Sequence, residues 1–258
     1  MNIAFTFSGL SKNINKTYPI FKRVIDEYNA DVFFSTWDIE DLENEDTILN
    51  FKGKYNPLVL EVESWDIWKN NYWSLIEPHY KVPQVLRSAE YNKANNPSTF
   101  GMWYKIQRSN QLTKLVDKKY DIVVKLRTDI GLSPNFTLIQ NNYLNIPHGA
   151  CQIPDWGNCW GPHDFMYFGN PEFMDYTTGL FYFISKYHQE GNYLYPPENL
   201  LRHHLSQKDI PIRFYPDSIK LRGGDCIPLH NLEKPVQFTS STNWSNQPPN
   251  PNLSYYKK

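Results

Sequence analysis

Arg127 and Asp129 stand two residues apart at the end of an apolar run, residues 120–132, that reads YDIVVKLRTDIGL. Ile122, Val123, Val124 and Leu126 suit a buried strand. A strand that closes on a cation and an anion presents a choice. The two form an ordinary ion pair at a strand end, or they serve a ligand. In the second case the carboxylate offers oxygen donors to a hard divalent cation, and the guanidinium matches phosphate oxygens. Side chains two apart on a strand point the same way, so both groups project from one face.

The elements that have to position this pair read as an α/β domain. Residues 2–7 form a buried strand broken by Ser8-Gly9, residues 17–28 a helix with Phe21, Val24 and Ile25 at helical spacing, and residues 31–36 a second strand ending at Trp37-Asp38. This opening needs a right-handed crossover and favours a parallel sheet. Residues 38–54 read as charged and irregular, 58–62 as a third strand, and 65–80 as an aromatic-rich segment with a short helix over the sheet. Residues 81–97 read as a loop with some helix. A helix over residues 99–118 follows, capped by Ser98 or Thr99, with Met102, Ile106, Leu112, Leu115 and Val116 on one face. Beyond the 121–126 strand come a strand at 164–168, helices at 171–187 and 196–207, and a strand at 210–215. The fold expected is one Rossmann-like α/β domain over residues 1–234, its central sheet mostly parallel and flanked by helices. A polar tail, residues 235–258, completes it.

Ligands of an open parallel sheet bind outside the carboxyl ends of its strands. Three loops fall there, residues 8–13, 36–38 and 127–130, which adds Ser8, Gly9, Thr36 and Trp37 to the candidate site. The helix beginning near Thr99 starts at the same edge, where its free N–H groups favour an anion.

Composition narrows the classes. Apolar residues make up 40% of the 258, enough for a sizeable core, and the net charge of −1 has no basic block, which argues against a nucleic-acid partner. Aromatics reach 16%, which suits sugar-ring packing and an aromatic core equally. Cys151, Cys159 and Cys226 lack C-x-x-C spacing, so neither a disulfide framework nor structural zinc is expected, and a reducing, cytoplasmic setting fits. No apolar run approaches the roughly 18 residues of a membrane span, and the N-terminus reads as a strand, not a signal peptide.

The segments FSGLSKN, DVFFSTW, MWYKIQRSNQL feeding YDIVVKLRTDI, DFMYFGN and PPENLLRHHL together resemble a group of glycosyltransferases. These come from bacterial capsule and lipopolysaccharide gene clusters and from large algal viruses. The resemblance spans residues 2 to roughly 230. It implies the GT-A fold, a nucleotide-diphospho-sugar donor, a glycan acceptor, and Mn²⁺ or Mg²⁺ on the donor's diphosphate. Such enzymes carry an acid-x-acid metal motif after the central strand; here it reads Arg127-Thr128-Asp129, so only the last acid is present and the metal has fewer protein ligands. The resemblance further implies His230 as a late metal ligand, Lys12 and Arg222 as diphosphate contacts beside Arg127, and Gly9 and Thr36 near the base and ribose. It puts Glu198 where an acceptor-side carboxylate belongs. Asp164 is the second candidate for that general base, and Trp156 and Trp160 are candidates to stack on the acceptor sugar. The bland alternatives are a Glu198–Arg202 i,i+4 pair at a helix start, solvated cations, and tryptophans spent on the core.

Two other classes also suit these residues. A glycoside hydrolase uses paired carboxylates without phosphate features, and a non-catalytic carbohydrate-binding protein would use the aromatics alone. A nucleotidyltransferase fits less well, because no Gly-rich, Lys-bearing loop lies near the N-terminus.

Overall fold

The computed structural model describes residues 1–73, 97–132, 151–154, 164–190, 197–208, 212–215, 219–221 and 237–238. The strands are β1 (Ile3–Ser8), β2 (Asp31–Trp37), β3 (Val59–Glu63), β4 (Ile122–Leu126), β5 (Ile130–Leu132), β6 (Cys151–Pro154), β7 (Met166–Gly169), β8 (Ile212–Tyr215), β9 (Ile219–Leu221) and β10 (Gln237–Phe238). The helices are α1 (Ile14–Tyr28), α2 (Ile48–Tyr55), α3 (Trp65–Trp68), α4 (Pro97–Leu112), α5 (Pro171–Thr178), α6 (Ile184–Gln189) and α7 (Pro197–Ser206). No helix of the described residues is long and apolar enough to cross a membrane.

Eight strands form one sheet in the order β10-β8-β6-β7-β4-β1-β2-β3, and β5 pairs with β9 separately. The half that contains β4, β1, β2 and β3 is parallel throughout. β7 runs antiparallel to both β4 and β6, so the sheet is mixed. The result is an α/β sheet, mostly parallel and flanked by helices, as the strand–helix alternation predicts, with the antiparallel β7 beside β4.

Alternation along β1 and β4 divides the core between two faces. Ile3, Phe5, Phe7, Ile122, Val124 and Leu126 pack with Phe21 and Val24 of α1 and Phe51 of α2. Ala4 and Val123 face the other way, toward Trp103, Ile106 and Leu112 of α4 and Leu200, Leu201 and Leu205 of α7. Edge-to-face contacts of Phe7 with Phe21 and Phe51 fill the first face.

Three expectations are corrected. Residues 38–54 are not irregular throughout: α2 starts there, with the Thr47 hydroxyl accepting the Asn50 N–H at 3.0 Å as N-cap. The helix expected over 99–118 begins at Pro97, so Ser98 and Thr99 lie in its first turn instead of capping it, and it ends at Leu112 in a 3₁₀ turn. That helix is not amphipathic with one apolar stripe. It is buried nearly all round, including Lys105, Gln107 and Asn110, while Leu115 is exposed. Its polar interior is paired: the Lys105 ammonium donates to Glu63 at 2.5 Å and lies 4.2 Å from the centre of the Trp37 ring.

The helix that carries Glu198 is anchored at its far end by a histidine. His204 of α7 is fully buried; its Nε2 lies 2.8 Å from the Tyr176 carbonyl and its Nδ1 2.8 Å from the Tyr187 hydroxyl. The arrangement assigns the proton to Nε2, with Nδ1 accepting from Tyr187. Burial pushes the imidazole down to about 4, with His203 and Lys208 adding to the effect and the Tyr176 carbonyl opposing it. The folded value is below the unfolded one, so its stabilisation is complete above pH ~6.5 and is lost as pH falls toward 4. The loss is on the order of 3 kcal/mol. Urea unfolding of wild type across that pH range should show the decline, and His204→Asn should flatten that part of the curve; an unchanged slope refutes the role.

Candidate active site

The strands β1, β2 and β4 end level with one another, Phe7 pairing with Leu126 and Ser8 with Ser35. Gly9 follows with φ 95, a left-handed conformation that suits glycine, and its N–H donates to the Ser35 carbonyl at 3.2 Å. A cleft of ≈ 370 Å³ opens over this edge, with Ser8, Gly9, Lys12, Trp37, Arg127 and Asp129 among its lining residues. The start of α4 contributes Ser98 and Thr99 to the same cleft, as the sequence predicts for an N-terminus facing the strand ends. Thr36 does not reach the wall. It is fully buried, and its hydroxyl donates to the Trp37 carbonyl at 3.3 Å.

The lining is divided. At the β2 and α4 side it is apolar, with Trp37, Ile39, Trp65, Met102 and Ile106; at the β4 side it is charged, with Lys12, Lys125, Arg127 and Asp129. Arg127 grips Asp129 bidentately, Nε to Oδ1 and Nη2 to Oδ2 both at 2.8 Å, and its Nη1 lies 3.4 Å from Asp164 Oδ2. Burial works against the Arg127 charge, but Asp164 and Asp129 outweigh it and hold the guanidinium protonated.

The antiparallel turn of the sheet is what brings Asp164 here. Leu126 pairs with Met166, so the residues just before β7 lie beside the residues just after β4. The fully buried Lys125 sits behind both, donating to the Asp164 carbonyl. Burial pushes Lys125 down to about 7, Arg127 lowers it further, and Asp164 and Asp129 oppose. Glu198, in the first turn of α7, joins the group. Burial pushes its carboxyl up to about 7, the neighbouring Asp164 adds to the rise, and a backbone hydrogen bond and Arg127 counter it.

Sequence reasoning missed two residues that shape the site. Thr128, the middle of the Arg-Thr-Asp triplet, accepts the Lys12 N–H at 3.0 Å and donates to the Leu10 carbonyl at 2.7 Å. Its own carbonyl accepts from Thr17 at 3.0 Å, so it fastens the loop after β1 to the end of β4. Asp46 accepts the N–H groups of Asn13 at 2.8 Å and Ile14 at 3.0 Å, capping α1 from a distant loop. The first helix is thereby closed to an anion at these two donors, whereas the start of α4 faces the cleft. Trp156, Trp160, Arg222 and His230 lie outside the described residues.

Among the described residues no three His, Cys, Asp or Glu side chains cluster as a ready-made metal cage. The donor chemistry nevertheless fits a small hard cation. Asp129 is a carboxylate, and Mg²⁺-like ions take one or two carboxylates and complete their shell with phosphate oxygens and water.

No family model matches the chain, and no curated protein matches it either. Among solved structures the fold is similar to core-mannan synthase A (CmsA/Ktr4) from Aspergillus fumigatus in its Mn/GDP form. The TM-score is 0.53 at 9% identity, over 85% of this chain and 74% of that one. At that identity the likeness establishes the GT-A-type architecture. The neighbour is fungal, and no bacterial or algal-viral origin is supported for this chain.

Proposed function

We propose that the protein is a glycosyltransferase that binds a nucleotide-diphospho-sugar across this cleft and moves the sugar to a hydroxyl of a glycan acceptor. The observation that carries the reading is the divided lining at the carboxyl edge of the parallel strands, aromatic at one end and charged, with three cations and one carboxylate, at the other. A nucleoside diphosphate has the same two-ended chemistry. Its base would lie against Trp37 and Trp65, its ribose over Ser8 and Gly9, and its diphosphate against Lys12 and Arg127.

The manganese and GDP of the fungal neighbour support a divalent ion here too, Mn²⁺ or Mg²⁺, held by Asp129. When bound it neutralises negative charge on the departing diphosphate. Arg127 and Lys12 would donate hydrogen bonds to the same oxygens. Glu198 faces the acceptor side and takes the proton of the incoming hydroxyl if the reaction inverts the sugar; if configuration is retained, Glu198 and Asp164 orient the acceptor. Arg222, His230, Trp156 and Trp160 complete the proposal in the roles that the sequence resemblance implies for them.

A panel of nucleotide-sugars, assayed with Mn²⁺ and with chelator for release of nucleoside diphosphate, tests the reading. Failure of every donor to bind or turn over refutes it. A glycoside hydrolase is the competing reading, favoured by the raised Glu198 carboxyl beside Asp164. It predicts no nucleoside diphosphate binding, which calorimetry with GDP and UDP decides.

The aromatic end of the cleft depends on Gly101. A Cβ there would lie 2.7 Å from Trp65 Cζ3 and 3.3 Å from both Trp37 Cζ2 and Trp68 Cζ3. Alanine gains about 1 kcal/mol of helix propensity but has to displace Trp65, and overpacking costs about 1–3 kcal/mol. Trp65 is only half-buried, so it yields into the cleft. Gly101→Ala should therefore change stability little while weakening nucleoside diphosphate binding several-fold. Equal affinity in calorimetry counts against Trp65 as the wall of the base site.

A further inference from the structure

The charged end of the cleft is layered. The Arg127 side chain is 21% exposed, whereas the carboxylates beneath it, Asp129 and Asp164, are 5% and 3% exposed. The guanidinium bonds both oxygens of Asp129 and reaches Asp164 with its remaining nitrogen, and its Cζ lies 5.0 Å from the centre of the Phe165 ring. The guanidinium is therefore the most exposed of the three charged groups, and it lines the cleft together with Asp129.

We infer that Arg127 is a counter-ion cap on Asp129, which keeps a divalent cation off that carboxylate until a diphosphate draws the guanidinium onto itself. The inference rests on the donor reading above and adds an order of assembly to it. A planar guanidinium bonds a carboxylate or a phosphate with the same two-point geometry, so the diphosphate and Asp129 compete for it. A divalent ion on Asp129 would lie against the positive guanidinium, a repulsion strengthened by the low exposure of the pair. When the diphosphate takes Arg127, that repulsion would fall, the two bonds from Arg127 to the carboxylate would open, and phosphate oxygens would become further ligands for the ion. Metal and nucleotide then strengthen one another's binding by the same factor. With Arg127 where the sequence resemblance implies an acid, the metal site is a conditional one.

Manganese binding, followed by electron paramagnetic resonance of free Mn²⁺, tests this without any turnover. Wild type should bind Mn²⁺ weakly alone and on the order of tenfold more tightly with GDP or UDP present, within the usual span of coupling between two sites. Arg127→Gln should bind Mn²⁺ on the order of tenfold more tightly than wild type with no nucleotide. Arg127→Lys, which keeps the charge but not the two-point grip, should fall between them and guards against a folding defect in the glutamine variant. Asp129→Asn added to Arg127→Gln should abolish the gain and so locate the ion. Equal Mn²⁺ affinity of wild type and Arg127→Gln without nucleotide overturns the cap. If neither GDP nor UDP binds, the donor reading fails, and the wild-type and Arg127→Gln titrations still decide the cap by themselves.

Discussion

Asp129→Ala is expected to lower nucleoside diphosphate release from the true donor by about 10²–10³-fold, the usual effect of removing one electrostatic stabiliser of a developing anion. The loss combines two consequences. In the proposed mechanism Asp129 would supply oxygen to a divalent ion, and before a nucleotide binds it sets the plane of the Arg127 guanidinium through two bonds at 2.8 Å. Without it Arg127 retains Asp164 at 3.4 Å and swings on a longer tether. An orphaned, partly buried partner costs about 1–3 kcal/mol, so the unfolding temperature should fall by a few degrees without loss of the fold. Asp129→Asn separates the two consequences. Its amide oxygen still accepts from Arg127, but it presents no charge to a cation, so release should remain low while stability recovers. Turnover within twofold of wild type in either variant would remove Asp129 from the mechanism.

The site was partly legible because its strands are. β1, β2 and β4 are mostly apolar runs, and a run that ends in Ser-Gly, Thr-Trp or Arg-Thr-Asp marks the carboxyl edge where an α/β sheet binds ligands. The same-face rule for residues two apart anticipated that Arg127 and Asp129 meet. It left open that they bond each other, which is the ion-pair alternative. What holds the site still was not legible. Thr128 reaches Lys12 and Leu10, more than a hundred positions away, and Asp46 caps a helix that starts 32 positions earlier. Hydrophobic periodicity reports burial along one element, not a polar side chain's partner on another.

Burial of α4 shows a second limit. Its sequence, PSTFGMWYKIQRSNQL, is polar enough to read as a surface helix. Lys105 and Arg108 are accommodated because β3 offers Glu61 and Glu63 against them, with Arg108 Nε 3.2 Å from Glu61 and Lys105 3.7 Å from the same carboxylate. Glu61 and Glu63 alternate along β3, so both turn to the α4 face. The pairing also places Lys105 beneath Trp37, fixing one wall of the cleft from behind. A helix can thus be interior without being apolar when the neighbouring strand carries the opposite charges at the right spacing. The short strands β5, β6 and β9 escaped notice for a simpler reason: three or four residues are too few to show a period.

Glu198→Gln is expected to reduce transfer by about 10²–10⁴-fold if Glu198 is the proton acceptor, with nucleoside diphosphate affinity unchanged if the side chain serves the acceptor as proposed. The pH profile gives the sharper test. Burial, with the neighbouring Asp164 adding, raises the Glu198 carboxyl to about 7, and only the ionised form accepts a proton. In wild type the turnover number should therefore rise with pH through about 7 and level off above it. Lys125 also loses its proton near 7, chiefly through burial, and it lies under the Arg127, Asp129 and Asp164 cluster at the diphosphate end. Its deprotonation removes a positive charge there, so donor affinity should weaken over the same interval. The two groups thus act in opposite directions and on different constants. Glu198→Gln should flatten the rise in kcat and leave the pH dependence of donor KM in place, and Lys125→Met should do the reverse. A rise in kcat that survives Glu198→Gln would transfer the base to Asp164, or mark a reaction that needs none.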